Sequence, residues 1–298
     1  MPASPVSQLI EKIRKRRLND GGFPDNENGV YRPDATAWAV LALKAAGVNP
    51  EIIESARSRL LKSQLKDGRI PVSSDHPETF WPTPLVILAW QEVENYRPAI
   101  QLSSRFLLDT TGIHWKKKPG DPSKHDTALR GWPWIEKTHS WIEPTCLTVI
   151  ALEISGFKDH ERVREAVKMI LDRQLPKGGW NYGNTLVFDA ELEPFPDTTG
   201  LALSALADLV ARPEIDRSLV YLNNKVKNTK TPISLGWSLL GLSAWMERPS
   251  GFNTMILESM SMEKKFGTYS TTAYSLLVLS LLASSGIKNL IRNAGKLA

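Results

Sequence analysis

Six times along this chain a threonine or serine opens a run rich in alanine and leucine, and that recurrence leaves few folds open. Four copies are clear: "YRPDATAWAVLALKAAG" (31–47), "FWPTPLVILAW" (80–90), "WIEPTCLTVIALEISG" (141–156) and "FPDTTGLALSALAD" (195–208). Two looser ones follow, "GWSLLGLSAW" (236–245) and "TTAYSLLVLSLLASSG" (271–286). Aligning Thr36, Thr83, Thr145, Thr199, Ser238 and Thr272 gives spacings of 47, 62, 54, 39 and 34 residues, which makes six units. Proline followed by Asp, Glu or Thr suits a first helical turn, because proline lacks only an N–H that would be orphaned there anyway. The runs that follow are apolar on nearly every side, as helices buried all round are.

Between these runs lie charged, amphipathic segments such as "PEIIESARSRLLKSQL" (50–65) and "DHERVREAVKMILDRQL" (159–175), which read as helices with one wet face. Buried and half-exposed helices alternating six times predict two concentric rings. The stretches "RLNDGGF" (17–23), "QLKDGRI" (64–70) and "QLPKGGW" (174–180) each fall after an outer helix and before an inner one. Glycine is expected there to supply the left-handed conformation that ends a helix. The next large residue can then fold back on the core, and the glutamine can serve backbone groups left open at a neighbouring helix end.

Gln174-x-x-x-Gly178-x-Trp180 resembles the glutamine–tryptophan repeat of squalene and hopene cyclases, shared in weaker form by protein prenyltransferase beta subunits. The other two copies are degenerate, with Arg17 in place of glutamine and Ile70 in place of tryptophan. The resemblance covers roughly residues 17–286 and implies an all-α fold, an α/α toroid of six inner and six outer helices around a central apolar cavity. The whole chain, 1–298, is then one domain, enough for a single barrel and too little for the two-barrel arrangement that the resembling triterpene cyclases use.

The same resemblance implies where chemistry would sit. Those cyclases carry an Asp-x-Asp-Asp-Thr motif whose central acid protonates an alkene or epoxide. Aligning threonines puts Asp34, Glu143 and Asp197 at that acid, but without the flanking carboxylates: Arg32 or Phe195 stands on one side and Ala35 or Thr198 on the other. A carboxylate in a first helical turn is also stabilised charged, which fits helix capping as well as it fits catalysis. The resembling prenyltransferase subunits bind zinc through Asp, Cys and His. Here the one cysteine, Cys146, lies inside a buried helix, and His76, His114, His125, His139 and His160 lack metal-ligand spacings, so no metal or other cofactor is expected.

Ten tryptophans are many for this length. Trp38, Trp81, Trp132, Trp134, Trp141, Trp237, Tyr269 and Tyr274 fall at or near inner-helix starts, so parallel inner helices would gather them at one mouth of the cavity. Aromatic faces suit an isoprenoid and stabilise a developing cation; large rings filling the barrel would explain them equally. Arg130, Lys137 and His139 stand among the tryptophans of "RGWPWIEKTHSW" (130–141) and are candidate receivers for a diphosphate. Residues 110–126 and 184–194 read as insertions near the same helix ends, the first a candidate lid.

The net charge of +5 is concentrated at Lys12, Arg14, Lys15, Arg16 and Arg17 and at Lys116–Lys118, without the motifs or interleaved aromatics of nucleic-acid binders, so no nucleic-acid partner is expected. Val6, Leu9, Ile10 and Ile13 give the first basic cluster an apolar side, which would allow peripheral membrane contact. One cysteine, no continuous apolar run at the N-terminus and no membrane-length segment lead to a cytoplasmic expectation. Three functions stay open: a cyclase- or transferase-like enzyme on an isoprenoid, a toroid that only binds an apolar small molecule, and a protein-interaction scaffold. A helical partner subunit would fit any of them.

Overall fold

A computed structural model describes residues 4–121, 123–187 and 190–293. Fourteen α-helices carry the described chain, with a two-residue antiparallel pair, β1 (Leu186–Val187) and β2 (Ala190–Glu191), as a minor hairpin. Six helices form an inner ring: α2 (Pro33–Ala45), α4 (Pro82–Trp90), α6 (Ile142–Leu152), α8 (Pro196–Leu206), α10 (Pro232–Ala244) and α13 (Thr271–Leu282). Each packs on the next, and α13 packs on α2, so the ring closes. Outside it lie α3 (Pro50–Leu61), α5 (Arg97–Asp109), α7 (Glu161–Asp172), α9 (Asp216–Val226) and α11 (Phe252–Ser261), each on the inner helix before it, while α1 (Pro5–Arg14) covers α13. This is the α/α toroid with six inner and six outer helices. The apolar side of α1, Leu9, Ile10 and Ile13, is buried; Arg14 pairs locally with Glu11, and Lys12 pairs with Glu263 far along the chain.

The recurring threonine has a mechanical role. Thr36, Thr83, Thr145 and Thr199 each accept, at 2.9–3.0 Å, the backbone N–H of the large residue that ends the preceding loop: Phe23, Ile70, Trp132 and Trp180. Each hydroxyl also donates back to that residue's carbonyl. One side chain thus satisfies both polar groups of a buried peptide and ties a loop to the first turn of an inner helix. Trp132 is therefore the third anchor in this series, with its indole N–H on the Leu107 carbonyl at 2.8 Å and Arg162 stacked above it at 4.5 Å. Thr199→Val keeps the shape but leaves the Trp180 N–H without an acceptor. It should cost about 1–3 kcal/mol in urea unfolding.

The glycines act differently from the expectation. Gly21, Gly68 and Gly178 have positive φ (88°, 96° and 91°), but they lie several residues beyond the ends of α1, α3 and α7, inside a tight turn. Their backbone presses on the next outer helix: a Cβ on Gly178 would lie 2.4 Å from the Arg217 carbonyl carbon, and one on Gly68 would lie 2.4 Å from the Leu102 oxygen. The glutamines bind that same helix start, but through acceptors rather than open N–H groups. Gln64 Nε2 donates to the Ala99 carbonyl and Ser103 Oγ, both at 2.8 Å, and Gln174 Nε2 donates to the Glu214 carbonyl and to Ser218 Oγ at 2.8 Å.

Two further helices lie outside the alternation: α12 (Glu263–Phe266), between α11 and α13, and α14 (Gly286–Asn293), after α13. The chain bends 84° between α13 and α14. As a result α14 lies across the C-terminal ends of the inner ring, touching α2, α8, α10 and α13. It is pinned there by Lys288 and Arg292, both on the buried Glu153 carboxylate. One end of the toroid is therefore crossed by α14, and the other, where the inner helices begin, is the mouth. No single helix among the described residues is long and apolar enough to cross a membrane.

Candidate functional site at the mouth of the toroid

Neighbouring inner helices α6 and α8 present Glu143 and Asp197 in their first turns. Burial, and then the repulsion of Asp197, push the Glu143 carboxyl up to about 7. No hydrogen bond within the described structure offsets that burial, so Glu143 is divided between its protonated and charged forms near neutral pH. Asp197 Oδ1 accepts the Thr198 N–H at 2.8 Å, a local cap. The nearby Tyr221 hydroxyl is raised to about 12 by burial, with Glu193 and Asp197 adding to it, and it donates to the Pro194 carbonyl. Asp34, the third aligned acid, is held differently. Arg32 grips it through two 2.9 Å hydrogen bonds, and although burial raises its carboxyl, the guanidinium works against that. Asp34 is thereby committed to an ion pair, whereas Glu143 is open to exchange its proton.

Beside the two carboxyls runs a ladder of rings. Trp134 stacks on Trp141 (centroids 5.6 Å apart, planes at 27°), Trp134 meets the edge of Tyr182 at 6.5 Å, and Tyr182 meets Phe195 at 5.2 Å. Tyr182 and Phe195 are exposed, at 52% and 39%. Trp141 stands just before α6 and Phe195 just before α8, and the Tyr182 carbonyl accepts the Ile142 N–H at 3.0 Å, so the ladder and the carboxyls share their supports. Tyr182 and Phe195 were absent from the sequence-derived set, although Tyr182 follows the Gly-Gly-Trp anchor and Phe195 precedes the Pro-Asp helix start.

The other aromatic residues go elsewhere. Trp38 and Trp237 face each other edge to face at 5.6 Å and are buried, so they fill the lumen between α2 and α10 instead of lining an open one. Trp81 is half-buried before α4, with the Arg32 guanidinium 5.8 Å from its ring. Trp132 is a core anchor, as described. Tyr274 points outward from the ring, its hydroxyl on Glu263 and its face under Lys12 and Arg16, and Tyr269 donates to the Ser259 carbonyl. These two tyrosines hold α1 and α11, not the mouth.

The cationic candidates also separate. Arg130 is bound through backbone and guanidinium to Glu165 of α7 on the outer flank. Lys137 is exposed in a left-handed turn (φ 58°). His139 lies edge-on to Trp115, 5.3 Å away, in a cleft under the 110–126 insertion.

No protein-family model matches the sequence, and no curated protein matches it. Solved structures do resemble it over almost the whole chain. An alpha-amylase from Clostridium perfringens superposes with a TM-score of 0.61 at 12% identity, covering 95% of this chain and 99% of that one. The alpha-1,6-mannanase GH76A of Salegentibacter gives 0.60 at 11% (94% and 98%). The type II terpene cyclase MstE from Scytonema gives 0.57 at 12% (98% of each). The shared property is the fold. Glycoside-cleaving and terpene-cyclising proteins stand at equal distance, so the toroid alone does not choose between their chemistries.

Proposed function

We propose that the mouth of the toroid is an acid–base site that takes an isoprenoid against its aromatic ladder, with Glu143 as the proton donor or acceptor. The observation that carries this is the juxtaposition, on the starts of α6 and α8, of Trp134, Trp141, Tyr182 and Phe195 with a carboxyl raised to about 7. Ring faces hold an apolar chain and stabilise positive charge developing on it, and a carboxyl that titrates near neutral pH is what proton delivery requires. The repeat that builds this mouth is also the one resembling the isoprenoid-handling families.

A carbohydrate is the second reading, and two observations favour it. Glu143 beside Asp197 forms the pair of carboxyls, one raised toward neutral pH by burial, that glycoside cleavage uses. The Trp38–Trp237 contact also narrows the lumen that a long apolar chain would enter, while Tyr182 and Phe195 stay exposed at the surface, where rings can stack on sugars.

Thermal-shift and tryptophan-quenching titrations separate the readings. Isoprenyl diphosphates of increasing length and a squalene analogue would be compared with gluco- and manno-oligosaccharides, with inorganic diphosphate as the baseline. A response that grows with isoprenyl length and weakens about tenfold in Trp141→Ala is expected. A response to oligosaccharides alone would install the second reading. Silence toward both classes would leave the toroid as a protein-binding scaffold.

A further inference from the structure

A second cleft, distinct from the carboxyl pair, opens beneath the 110–126 insertion, with a volume of about 250 Å³. Its floor is the guanidinium of Arg173, which lies just past the end of α7 and is only 7% exposed. A buried arginine normally faces a carboxylate. Arg173 makes no ion pair among the described residues; it donates Nη1 to the Ser140 carbonyl at 2.7 Å, and its buried Nε has no partner. The chain at Gly183 passes so close that a Cβ there would sit 2.9 Å from Nη1. Two more buried polar groups in this segment, Asn181 Nδ2 and Thr185 Oγ1, also lack partners.

The remaining walls mix polar groups with Ile113, Trp115 and Trp141, and none of them carries a carboxylate. His125, His139, Ser140 and Asn184 line the cleft beside Trp141. Burial, then Arg173 and Lys117, hold His125 down at about 4 against the weaker pull of Asp121 and Asp126, so its ring is neutral and has an N–H to give. Burial takes Arg173 down to about 10, which leaves it charged at neutral pH, with Asp172 offsetting little. A desolvated cation with an idle N–H, flanked by neutral donors, lacks only an acceptor of negative charge.

We propose that this cleft binds a compact oxyanion, a phosphate or carboxylate group, on Arg173, with His125 and Asn184 as flanking donors. With Nη1 committed to Ser140, the Nε–Nη2 edge of the guanidinium is the side whose parallel N–H groups match two oxygens of either anion. The site stands independently of the acid–base reading of the mouth.

Thermal unfolding of the whole chain tests it, with sodium phosphate or sodium acetate titrated against chloride at constant ionic strength. Phosphate, acetate or both should raise the melting temperature saturably, and whichever does so identifies the group. Arg173→Met should remove that response, while melting without added anion at or above the wild-type temperature, since it relieves an unpaired buried charge. His125→Leu, which removes a half-buried donor from the 110–126 loop, should weaken the response by about tenfold or more. Glu143→Gln should leave it intact, so a failure of the mouth reading would not touch it. No response to either anion overturns the proposal, as does an equal response in Arg173→Met; should that variant not fold, an undiminished response in His125→Leu does the same.

Discussion

Glu153→Leu is expected to destabilise the protein by about 3–5 kcal/mol, because it strands a buried lysine. Glu153 follows the last turn of α6 with its side chain 1% exposed, and it receives Lys288 Nζ at 2.7 Å and Arg292 Nη2 at 2.8 Å. Lys288 also donates to the Ala205 and Ala207 carbonyls at the end of α8, where the helix dipole favours a cation. Burial lowers the lysine's proton affinity, and Glu153 is the largest influence restoring it. Without that carboxylate the ammonium keeps its desolvation cost and loses its main compensation. The double variant Glu153→Leu/Lys288→Met should recover most of the loss, since an apolar pair of similar volume often replaces a buried ion pair at little cost. Urea unfolding of the two single variants and the double one closes the cycle. A single Glu153→Leu cost below about 1 kcal/mol would mean that α14 is not locked across the barrel by this pair.

The ring architecture was readable because its determinants are local and repeated. The threonine helix starts, the Gly turns before them and the prolines beside them recur along the chain, so one copy interprets the next. Trp132 was misread because "RGWPW" has no glutamine four residues before Gly131; the signal that marks it as an anchor is Thr145, 13 residues on, the spacing of Phe23 to Thr36 and Ile70 to Thr83. Rotation of the inner helices was not readable at all. A helix apolar on every side carries no phase information, so Trp38 facing the lumen and Tyr274 facing α1 look alike in sequence. The aligned acids were visible, each two residues before its threonine, but the difference between Asp34, gripped by Arg32, and Glu143, left unpaired, exists only in the folded protein. The Arg173 cleft needs two distant loops brought together, and α14 falls outside the repeat altogether.

Glu143→Gln is expected to stabilise the protein at pH 8 by up to about 3 kcal/mol while removing any proton transfer at the mouth. The sign follows from the direction of the shift. The Glu143 carboxyl rises from an ordinary 4.5 to about 7 on folding, chiefly by burial and secondarily through Asp197. The protonated form is therefore favoured by the fold, and its contribution is complete below pH 4.5 and lost as pH rises through 7. Wild type should thus lose stability across that window, whereas the glutamine variant, neutral throughout, should not. The two should unfold alike near pH 4, diverge between pH 4.5 and 7 and run parallel above that, which urea titrations at fixed pH values would resolve. Curves parallel throughout would show that Glu143 is charged in the folded protein and would remove the basis for a proton donor there. Divergence would mean that the fold carries a cost at this position which a single amide relieves. A carboxyl retained against such a cost belongs to function more readily than to packing.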